Sequence, residues 1–290
     1  MSFITRFAPS PTGLLHLGHA YSAILAHDAA HAAGGSFLLR IEDIDTTRCR
    51  PEFEAAIYQD LAWLGLSWPE PVRRQSHHMA DYAEALERLR ALGVVYRCFL
   101  TRKEIAEQSL SAPHGAGEGP DGIIYRGPPR QMSHEEEQAR IARGESFAWR
   151  ISIKYSQDLL GEDFARLVFV ERDLRSNAEQ TVAARPESLG DVILARKDTP
   201  TSYHLSVVHD DALQGVTHVI RGEDLRASTH IHVLLQRLLG LPTPVYYHHR
   251  LLAGPDGKRY AKRDRALTLA ALRAAGVSPA DIRSRIGLTA

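Results

Sequence analysis

Cysteine is scarce in this chain of 290 residues, which contains only Cys49 and Cys98. Two thiols exclude a disulfide-stapled scaffold and predict a protein of the reducing cytoplasm. No run of about 18 apolar residues occurs, so we expect no membrane span. The first residues show no charged segment followed by a long apolar stretch, which argues against a secretory signal peptide.

The sequence also lacks an excess of either charge, because 35 basic residues balance 35 acidic ones. A neutral chain argues against non-specific nucleic-acid binding, which depends on the neutralisation of phosphates. Two stretches, 126–150 and 258–265, are nevertheless locally basic. Each is either a binding face or a solvated surface, and composition alone leaves both interpretations open.

The order of strand and helix signals predicts an α/β fold. Residues 1–100 alternate the two signals, which favours a doubly wound parallel sheet of the Rossmann type. We interpret 101–188 as an inserted α+β domain, with an exposed loop over 109–129 and a helix that begins at a Ser133–Glu136 capping box. The sheet is expected to resume over 189–250.

The strands expected in that second part of the sheet lie at 192–194, 205–208, 216–220 and 245–247, with a helix over 228–239. The remaining segment, 251–290, is expected to hold a basic loop and two short helices. No internal repeat is visible. Oligomeric state is not encoded in any apolar pattern that we identify, and we expect a monomer.

A loop rich in Pro, Ser and Gly leads into the first helix at the sequence His16-Leu17-Gly18-His19. The start of a helix offers unpaired N–H groups and partial positive charge, which suit a phosphate. Gly18 lets a nucleotide approach the backbone closely. His16 and His19 lie on one helix face and could donate to phosphate oxygens. The alternative is a capped helix that carries surface histidines.

A second candidate site is the basic loop over 257–263, GKRYAKR. Such a loop can close over a triphosphate and neutralise the departing pyrophosphate. The alternative is a solvated run of charge.

Together, RFAPSPTGLLHLGH at the start and RYAKR near the end resemble the HIGH and KMSKS signatures of class I aminoacyl-tRNA synthetases. Residues 6–13 (RFAPSPTG), 40–45 (RIEDID) and 219–225 (VIRGEDL) are similar to the glutamyl branch of that class. The resemblance runs through nearly the whole chain and is weakest over 110–185. The chain ends 27 residues after Arg263, so we expect no anticodon-binding domain. The resemblance is therefore to the glutamyl-Q tRNA(Asp) synthetase family.

This resemblance implies a set of site residues. It implies a glutamate pocket made of Arg6, Ser10, Glu42, Tyr203 and Arg221. Arginine can bind a carboxylate with two hydrogen bonds, and Glu42 can accept from the ammonium group of the substrate. The alternative for Arg221 is a strand-end ion pair with Glu223.

The resemblance also implies an ATP site formed by His16, Gly18, His19, Arg259 and Lys262. His16, His19 and Lys262 would be the catalytic residues. Near Glu42 in the sequence, Asp43 and Asp45 either bind Mg²⁺ or form a solvated turn, and the sequence leaves this open.

The sequence departs from the family pattern at two places. Family members commonly bind a structural zinc through Cys-x-Cys, Tyr and Cys, whereas here Cys98 is followed by Leu100, and no cysteine follows Tyr125. One thiolate cannot build a tetrahedral zinc site, so we predict no metal site. In the KMSKS-like loop, Arg259 stands where lysine is usual, which leaves the ATP step differently tuned.

The resemblance implies a cytoplasmic ligase that uses ATP with Mg²⁺ to convert glutamate into glutamyl-adenylate. Glutamate is then transferred to the queuosine base at the anticodon wobble position of tRNA(Asp). Three alternatives stay open: a truncated glutamyl-tRNA synthetase that charges a tRNA 3′ end, a non-catalytic binding module derived from a synthetase, and transfer to another acceptor such as a carrier protein.

Overall fold

A computed structural model describes residues 2–110, 118–119, 122–128, 132–173, 176–197, 199–252 and 268–288. The strands are β1 (Ile4–Phe7), β2 (Ser36–Ile41), β3 (Arg73–Arg74), β4 (Val95–Cys98), β5 (Glu118–Gly119), β6 (Gly122–Ile123), β7 (Ala148–Ile151), β8 (Val168–Arg172), β9 (Glu179–Ala183), β10 (Ile193–Arg196), β11 (His218–Gly222) and β12 (Val245–His249).

The α-helices are α1 (Leu17–Ala32), α2 (Pro51–Trp63), α3 (Met79–Ala91), α4 (Arg102–Leu110), α5 (His134–Ala142), α6 (Ile153–Leu160), α7 (Glu162–Ala165), α8 (Tyr203–Leu213), α9 (Ser228–Leu239), α10 (Leu269–Ala274) and α11 (Pro279–Arg285). In the described part of the chain, none of these helices is long and apolar enough to cross a membrane.

The central sheet is parallel except at one edge. Strands β1, β2 and β3 pair in parallel in the order β1-β2-β3, and β11, β12 and β8 pair in parallel with β9 added antiparallel. The two parts meet where the Thr217 amide, directly before β11, donates to the Ile4 carbonyl of β1 at 3.0 Å. The strand order therefore reverses between β1 and β11, as the predicted doubly wound fold requires.

Helix α1 lies at the centre of this fold. Its residues Ala20, Ala23, Ile24 and Ala26 are fully buried, and the helix packs with β1, β2, α2, α10 and α11 in one apolar core. The small alanine side chains let the helix approach the sheet closely. This packing holds the first turn of α1 at the carboxyl ends of the strands, where ligands bind in open α/β sheets.

Two expectations for the sheet were wrong. Residues 205–208, predicted as a strand, belong to α8, where Leu205, Val207 and Val208 are buried on a helix. An apolar run of four residues cannot by itself distinguish a buried strand from a buried helix.

Strands β4 and β10, expected in the central sheet, pair antiparallel with β7 in a separate three-stranded sheet. Conversely, β8 lies within 101–188 but pairs with β12. The boundaries of the proposed insertion therefore do not coincide with the boundaries of the sheets.

Other expectations are confirmed, including the first helix that begins after His16, the helix over 228–239 and the two short helices near the end of the chain. The Ser133–Glu136 capping box is also present at the start of α5.

Candidate active site

A cleft of about 460 Å³ opens at the carboxyl ends of β1 and β11, where the strand order reverses. Eight of the residues expected from the sequence line this single cleft: Arg6, Ser10, His16, Gly18, His19, Glu42, Tyr203 and Arg221. The other two, Arg259 and Lys262, lie outside the described residues. Residues separated by more than 200 positions in the sequence thus meet at one site.

The two histidines of the first motif begin α1 as a capping pair. The Gly18 amide donates to His16 Nδ1 at 3.1 Å, and the His16 amide donates to His19 Nδ1 at 3.2 Å. The ring centroids lie 3.8 Å apart. Because Nδ1 of each ring accepts a hydrogen bond, the proton of each neutral ring is on Nε2. Capping therefore fixes the tautomer that can donate to a phosphate oxygen.

Gly18 packs tightly against one of these rings. A Cβ atom added at Gly18 would lie 3.0 Å from Cε1 and 3.2 Å from Nδ1 of His16. Such a contact would force the ring to shift from its capping position by a few tenths of an ångström. The glycine thus maintains the histidine geometry, and it also leaves the helix N-terminus open to a ligand.

Arg6 and Glu42 are held by a buried network of opposite charges. Arg6 Nε donates to Asp211 at 3.1 Å, and fully buried Arg40 donates to Asp211 at 2.8 Å and to Glu42 at 3.2 Å. Burial alone would raise the pKa of Asp211, but Arg6 and Arg40 outweigh it and hold that pKa below its usual value. For Glu42, burial prevails over both arginines and raises the pKa.

The Arg221 guanidinium is held differently, by neutral groups. Its nitrogens donate to the Tyr203 hydroxyl at 3.1 Å, to the Thr229 hydroxyl at 2.6 Å, and to ring nitrogens of His232 and His248 at 3.3 and 3.4 Å. Within the part of the chain that the structure describes, Arg221 forms no ion pair. The side chain is only 4% exposed. A buried cation without a protein anion is a receptor for the anion of a ligand.

The two histidines that contact Arg221 are uncharged. Burial, followed by repulsion from Arg221, lowers the pKa of His248 to about 2 and holds that of His232 well below its usual value. Since a guanidinium only donates, His232 Nδ1 and His248 Nε2 accept its hydrogen bonds. The opposite nitrogen of His248, Nδ1, therefore donates to Glu171 at 2.9 Å. The ring of His248 thus separates the carboxylate from the guanidinium.

The strand-end ion pair between Arg221 and Glu223, considered as an alternative, does not form. Glu223 instead accepts from the Leu251 amide at 3.3 Å. Tyr203 is the first residue of α8, after the capping residue Ser202, and burial raises the pKa of its hydroxyl. The neutral hydroxyl therefore accepts from Arg221 without cancelling its charge.

The acidic residues after Glu42 have structural contacts. Asp43 is 6% exposed and accepts from the amide and the hydroxyl of Ser76, at 2.7 and 2.6 Å. Asp45 accepts from Thr47 and pairs with Arg48, and these hydrogen bonds lower its pKa to about 2. Neither lines the cleft. Their contacts fit a turn that leads into α2.

The position where the family commonly binds zinc is occupied by a small cluster of buried residues. Cys98 and Tyr125 pack with Ile105, and partly buried Leu100 packs against them. Leu100 offers no donor atom, so these residues do not fit a tetrahedral zinc ion. Among the residues that the structure describes, no group of three or more His, Cys, Asp or Glu side chains is arranged to hold a metal ion.

Sequence reasoning missed several residues that shape the cleft. These are partners of Arg6, Glu42 and Arg221 and one further lining residue: Arg40, Asp211, Thr229, His232, His248 and His249. One signal was available for Asp211, because two adjacent charged residues, Asp210 and Asp211, stand close after the apolar-rich stretch 205–208. The spacing of three between Thr229 and His232 also places both on one face of α9.

Comparison with known proteins agrees with the resemblance seen in the sequence. The model of the family "tRNA synthetases class I (E and Q), catalytic domain" matches residues 2–289. A glutamyl-Q tRNA(Asp) synthetase of Rhodobacter capsulatus is 53% identical over 98% of this chain and 100% of that protein. One from Symbiobacterium thermophilum is 43% identical over 94% of this chain and 82% of that protein.

A solved structure agrees with the fold of the chain. The glutamate-tRNA synthetase of Elizabethkingia anophelis superimposes with a TM-score of 0.71 at 28% identity, covering 91% of this chain and 53% of that one. Sequence and fold thus converge with the geometry of the cleft: the chain belongs to the class I tRNA synthetases (E and Q), and it is a ligase of that family.

Proposed function

We propose that this chain uses ATP with Mg²⁺ to convert glutamate into glutamyl-adenylate, and then transfers glutamate to the queuosine base at the wobble position of tRNA(Asp). The observation that carries the first step is the buried Arg221 guanidinium, whose described partners are all neutral. The relatives named glutamyl-Q tRNA(Asp) synthetases support the acceptor. We further propose that the protein acts in the cytoplasm as a monomer.

The charges of the cleft match those of glutamate. In the proposed complex one substrate carboxylate binds Arg221, with the Tyr203 hydroxyl beside it at 3.1 Å from the guanidinium. The substrate ammonium binds Glu42, whose carboxylate is anchored by Arg40 at 3.2 Å. Arg6, tied to Asp211 through Nε, lines the same cleft and adds further N–H donors.

The chemical step is an in-line displacement at the α-phosphate of ATP. An oxygen of the α-carboxylate of glutamate forms the new bond to phosphorus, the bond to the bridging oxygen breaks, and its electron pair leaves with pyrophosphate. No general base is required, because the carboxylate is ionised at neutral pH. His16 and His19 donate from Nε2 to the oxygens on which charge develops. Lys262, helped by Arg259, would neutralise the pyrophosphate.

In the transfer step, a hydroxyl of the queuosine cyclopentenediol attacks the carbonyl carbon of the adenylate. The bond from that carbon to the phosphate oxygen breaks, AMP leaves with its electron pair, and the hydroxyl proton passes to solvent. A splayed anticodon base is a target that proteins recognise well. We propose that residues 1–100 and 189–250 form the catalytic domain, and that 101–188 dock the RNA stem. Residues 251–290 would carry the basic loop and the short terminal helices.

The proposal is tested with labelled glutamate, MgATP and two preparations of tRNA(Asp), with and without queuosine. Glutamate-dependent exchange of pyrophosphate into ATP measures activation. We expect exchange without tRNA, and label only on the tRNA that contains queuosine. Label should persist on a queuosine-containing tRNA(Asp) from which the 3′-terminal adenosine has been removed, because that nucleoside is not the proposed acceptor.

Other outcomes separate the alternatives. Label on tRNA(Glu) that lacks queuosine would identify an enzyme that charges 3′ ends. Exchange without transfer to either tRNA would point to a different acceptor. A protein that is inert in both assays would be a binding module, and the proposal would be wrong.

A further inference from the structure

His249, at the end of β12, lines the cleft but takes no part in the glutamate pocket or the phosphate site proposed above. Its side chain is 7% exposed, and its ring meets the Tyr21 ring edge-on, with centroids 5.0 Å apart. The ring nitrogen Nδ1 lies 2.9 Å from the Arg250 carbonyl oxygen. Because a carbonyl only accepts, Nδ1 carries the proton of this ring.

The other nitrogen, Nε2, is a buried acceptor without a partner among the described residues. Burial lowers the pKa of His249, so the ring is neutral and Nε2 presents a lone pair. Buried polar atoms are nearly always paired in folded proteins, and an unpaired one beside a cleft indicates a missing ligand atom. The missing atom must be a hydrogen-bond donor.

The position of His249 restricts which part of a ligand can supply that donor. Phosphates are expected at the first turn of α1, and glutamate is expected between Arg6 and Arg221. His249 shares its part of the cleft with Leu251 and Leu252, which are apolar. Asp224 and Glu223 also act on His249 electrostatically, and their negative charge disfavours a phosphate there. Apolar side chains beside hydrogen-bond acceptors, with negative charge that disfavours phosphate, suit a planar base that carries a donor.

Gly222 packs against the side chains around it. A Cβ atom added at Gly222 would lie 2.5 Å from Asp224 Oδ1 and 3.0 Å from Leu251 Cδ2, so a larger residue would have to displace both side chains. Gly222 directly follows Arg221 and lines the same cleft. Asp224 and Leu251 are therefore the side chains that cover this stretch of backbone.

We propose that His249 Nε2 accepts a hydrogen bond from the 6-amino group of adenine and thereby makes the site selective for ATP. This group is the only exocyclic N–H donor on the base. A 6-oxo purine would set an oxygen against the lone pair of Nε2. The inference rests on the ATP-dependent activation proposed above and adds the residue that selects the nucleotide.

The test compares ATP with purine riboside triphosphate, which lacks only the 6-amino group, and with 2′-deoxy-ATP. The wild type, His249→Leu and His249→Gln are assayed by glutamate-dependent pyrophosphate exchange. Binding of each nucleotide is also measured by calorimetry without glutamate. The matched control is His218→Leu, at the opposite end of the neighbouring strand β11, where the ring stacks on Phe3 at 3.7 Å.

We expect the wild type and His218→Leu to prefer ATP over purine riboside triphosphate by about tenfold in KM and Kd. In His249→Leu the ratio of the two affinities should fall to about one. ATP should bind more weakly because it loses the hydrogen bond to Nε2, whereas the analogue never formed that bond and should bind as before. His249→Gln, which keeps an acceptor, should retain part of the preference. A ratio taken within one variant is insensitive to partial unfolding.

Two results would overturn the assignment. One is an unchanged preference in His249→Leu. The other is a loss of discrimination against 2′-deoxy-ATP instead, which would assign the donor to the ribose. If the wild type binds ATP but exchanges no pyrophosphate, the proposed function fails, and the calorimetric ratio still decides the role of His249.

Discussion

Two arginines enter the cleft from strands that lie side by side, and their surroundings are opposite in charge. Arg6, on β1, is paired with Asp211, which also binds Arg40. Arg221, on β11, is surrounded by a hydroxyl pair and two neutral imidazoles. Both residues are 4% exposed, so burial does not distinguish them.

The difference lies in what remains for a ligand. The charge of Arg6 is largely cancelled within the protein, so this residue contributes shape, rigidity and N–H donors. The charge of Arg221 is not cancelled by its described partners, and burial strengthens its attraction for an anion. Neutral acceptors can therefore orient a guanidinium while leaving its charge for the substrate.

Removing the positive charge of Arg221 should have the largest effect on activity. We expect Arg221→Met to lower kcat/KM for glutamate in pyrophosphate exchange by about 10³-fold, because the substrate carboxylate would be buried without a partner. The matched control is Arg237→Met, which removes an arginine that pairs with Asp163 at the surface. That variant should stay within about threefold of the wild type. A loss of less than tenfold in Arg221→Met would contradict the assigned role.

The carboxylate that cancels the charge of Arg6 should matter most for stability. Asp211→Asn breaks a buried network that includes two arginines, and we expect the free energy of unfolding to fall by about 3 kcal/mol at pH 7. Urea unfolding measures this change. Asp163→Asn, in the surface pair with Arg237, is the control and should cost less than about 1 kcal/mol.

The loss of stability in Asp211→Asn should depend on pH. Because folding lowers the pKa of Asp211, its stabilising contribution is complete above its ordinary value of 3.8 and is lost as pH falls through the lower value of the folded state. The difference between the wild type and Asp211→Asn should therefore shrink in acid. A difference that grows below pH 4 would show that Asp211 does not carry the charge we assign to it.

Placing an anion beside Arg221 should have a smaller effect. His248→Glu would convert the surroundings of Arg221 into those of Arg6, and we expect KM for glutamate to rise about thirtyfold as the new carboxylate competes with the substrate. His248→Gln keeps a neutral acceptor and should remain within about threefold. Equal effects of the two substitutions would show that shape, and not charge, is what the imidazole provides.

The fold was predictable where local patterns coincide with single elements. Proline at position 51 and the apolar spacing after it identify α2, and Ser133 with Glu136 identifies the start of α5. Partner choice was not predictable, since β4 and β10 are recognisable as strands but nothing in their sequences says that both pair with β7. Pairing of that kind is decided by contacts between distant segments.

The site shows the same limit. The resemblance to a family supplied Arg6, Glu42, Tyr203 and Arg221, and the structure brings them to one cleft. The resemblance gave no information about the residues that surround these four. Thr229, His232 and His248 belong to two different elements and have no shared motif, so their convergence on one guanidinium emerges only from the packing of α9 against β11 and β12.

In the capping pair at the start of α1, each imidazole ring links a hydrogen bond from the main chain to the cleft. One nitrogen of each ring accepts from a backbone amide, and the other carries the proton. Hydrogen bonds in such a chain polarise one another, so an oxygen that draws on Nε2–H strengthens the acceptor at Nδ1. By linkage, the order of the first helical turn and the affinity for the anion rise and fall together. A frayed helix end and an empty phosphate site are then two aspects of a single equilibrium.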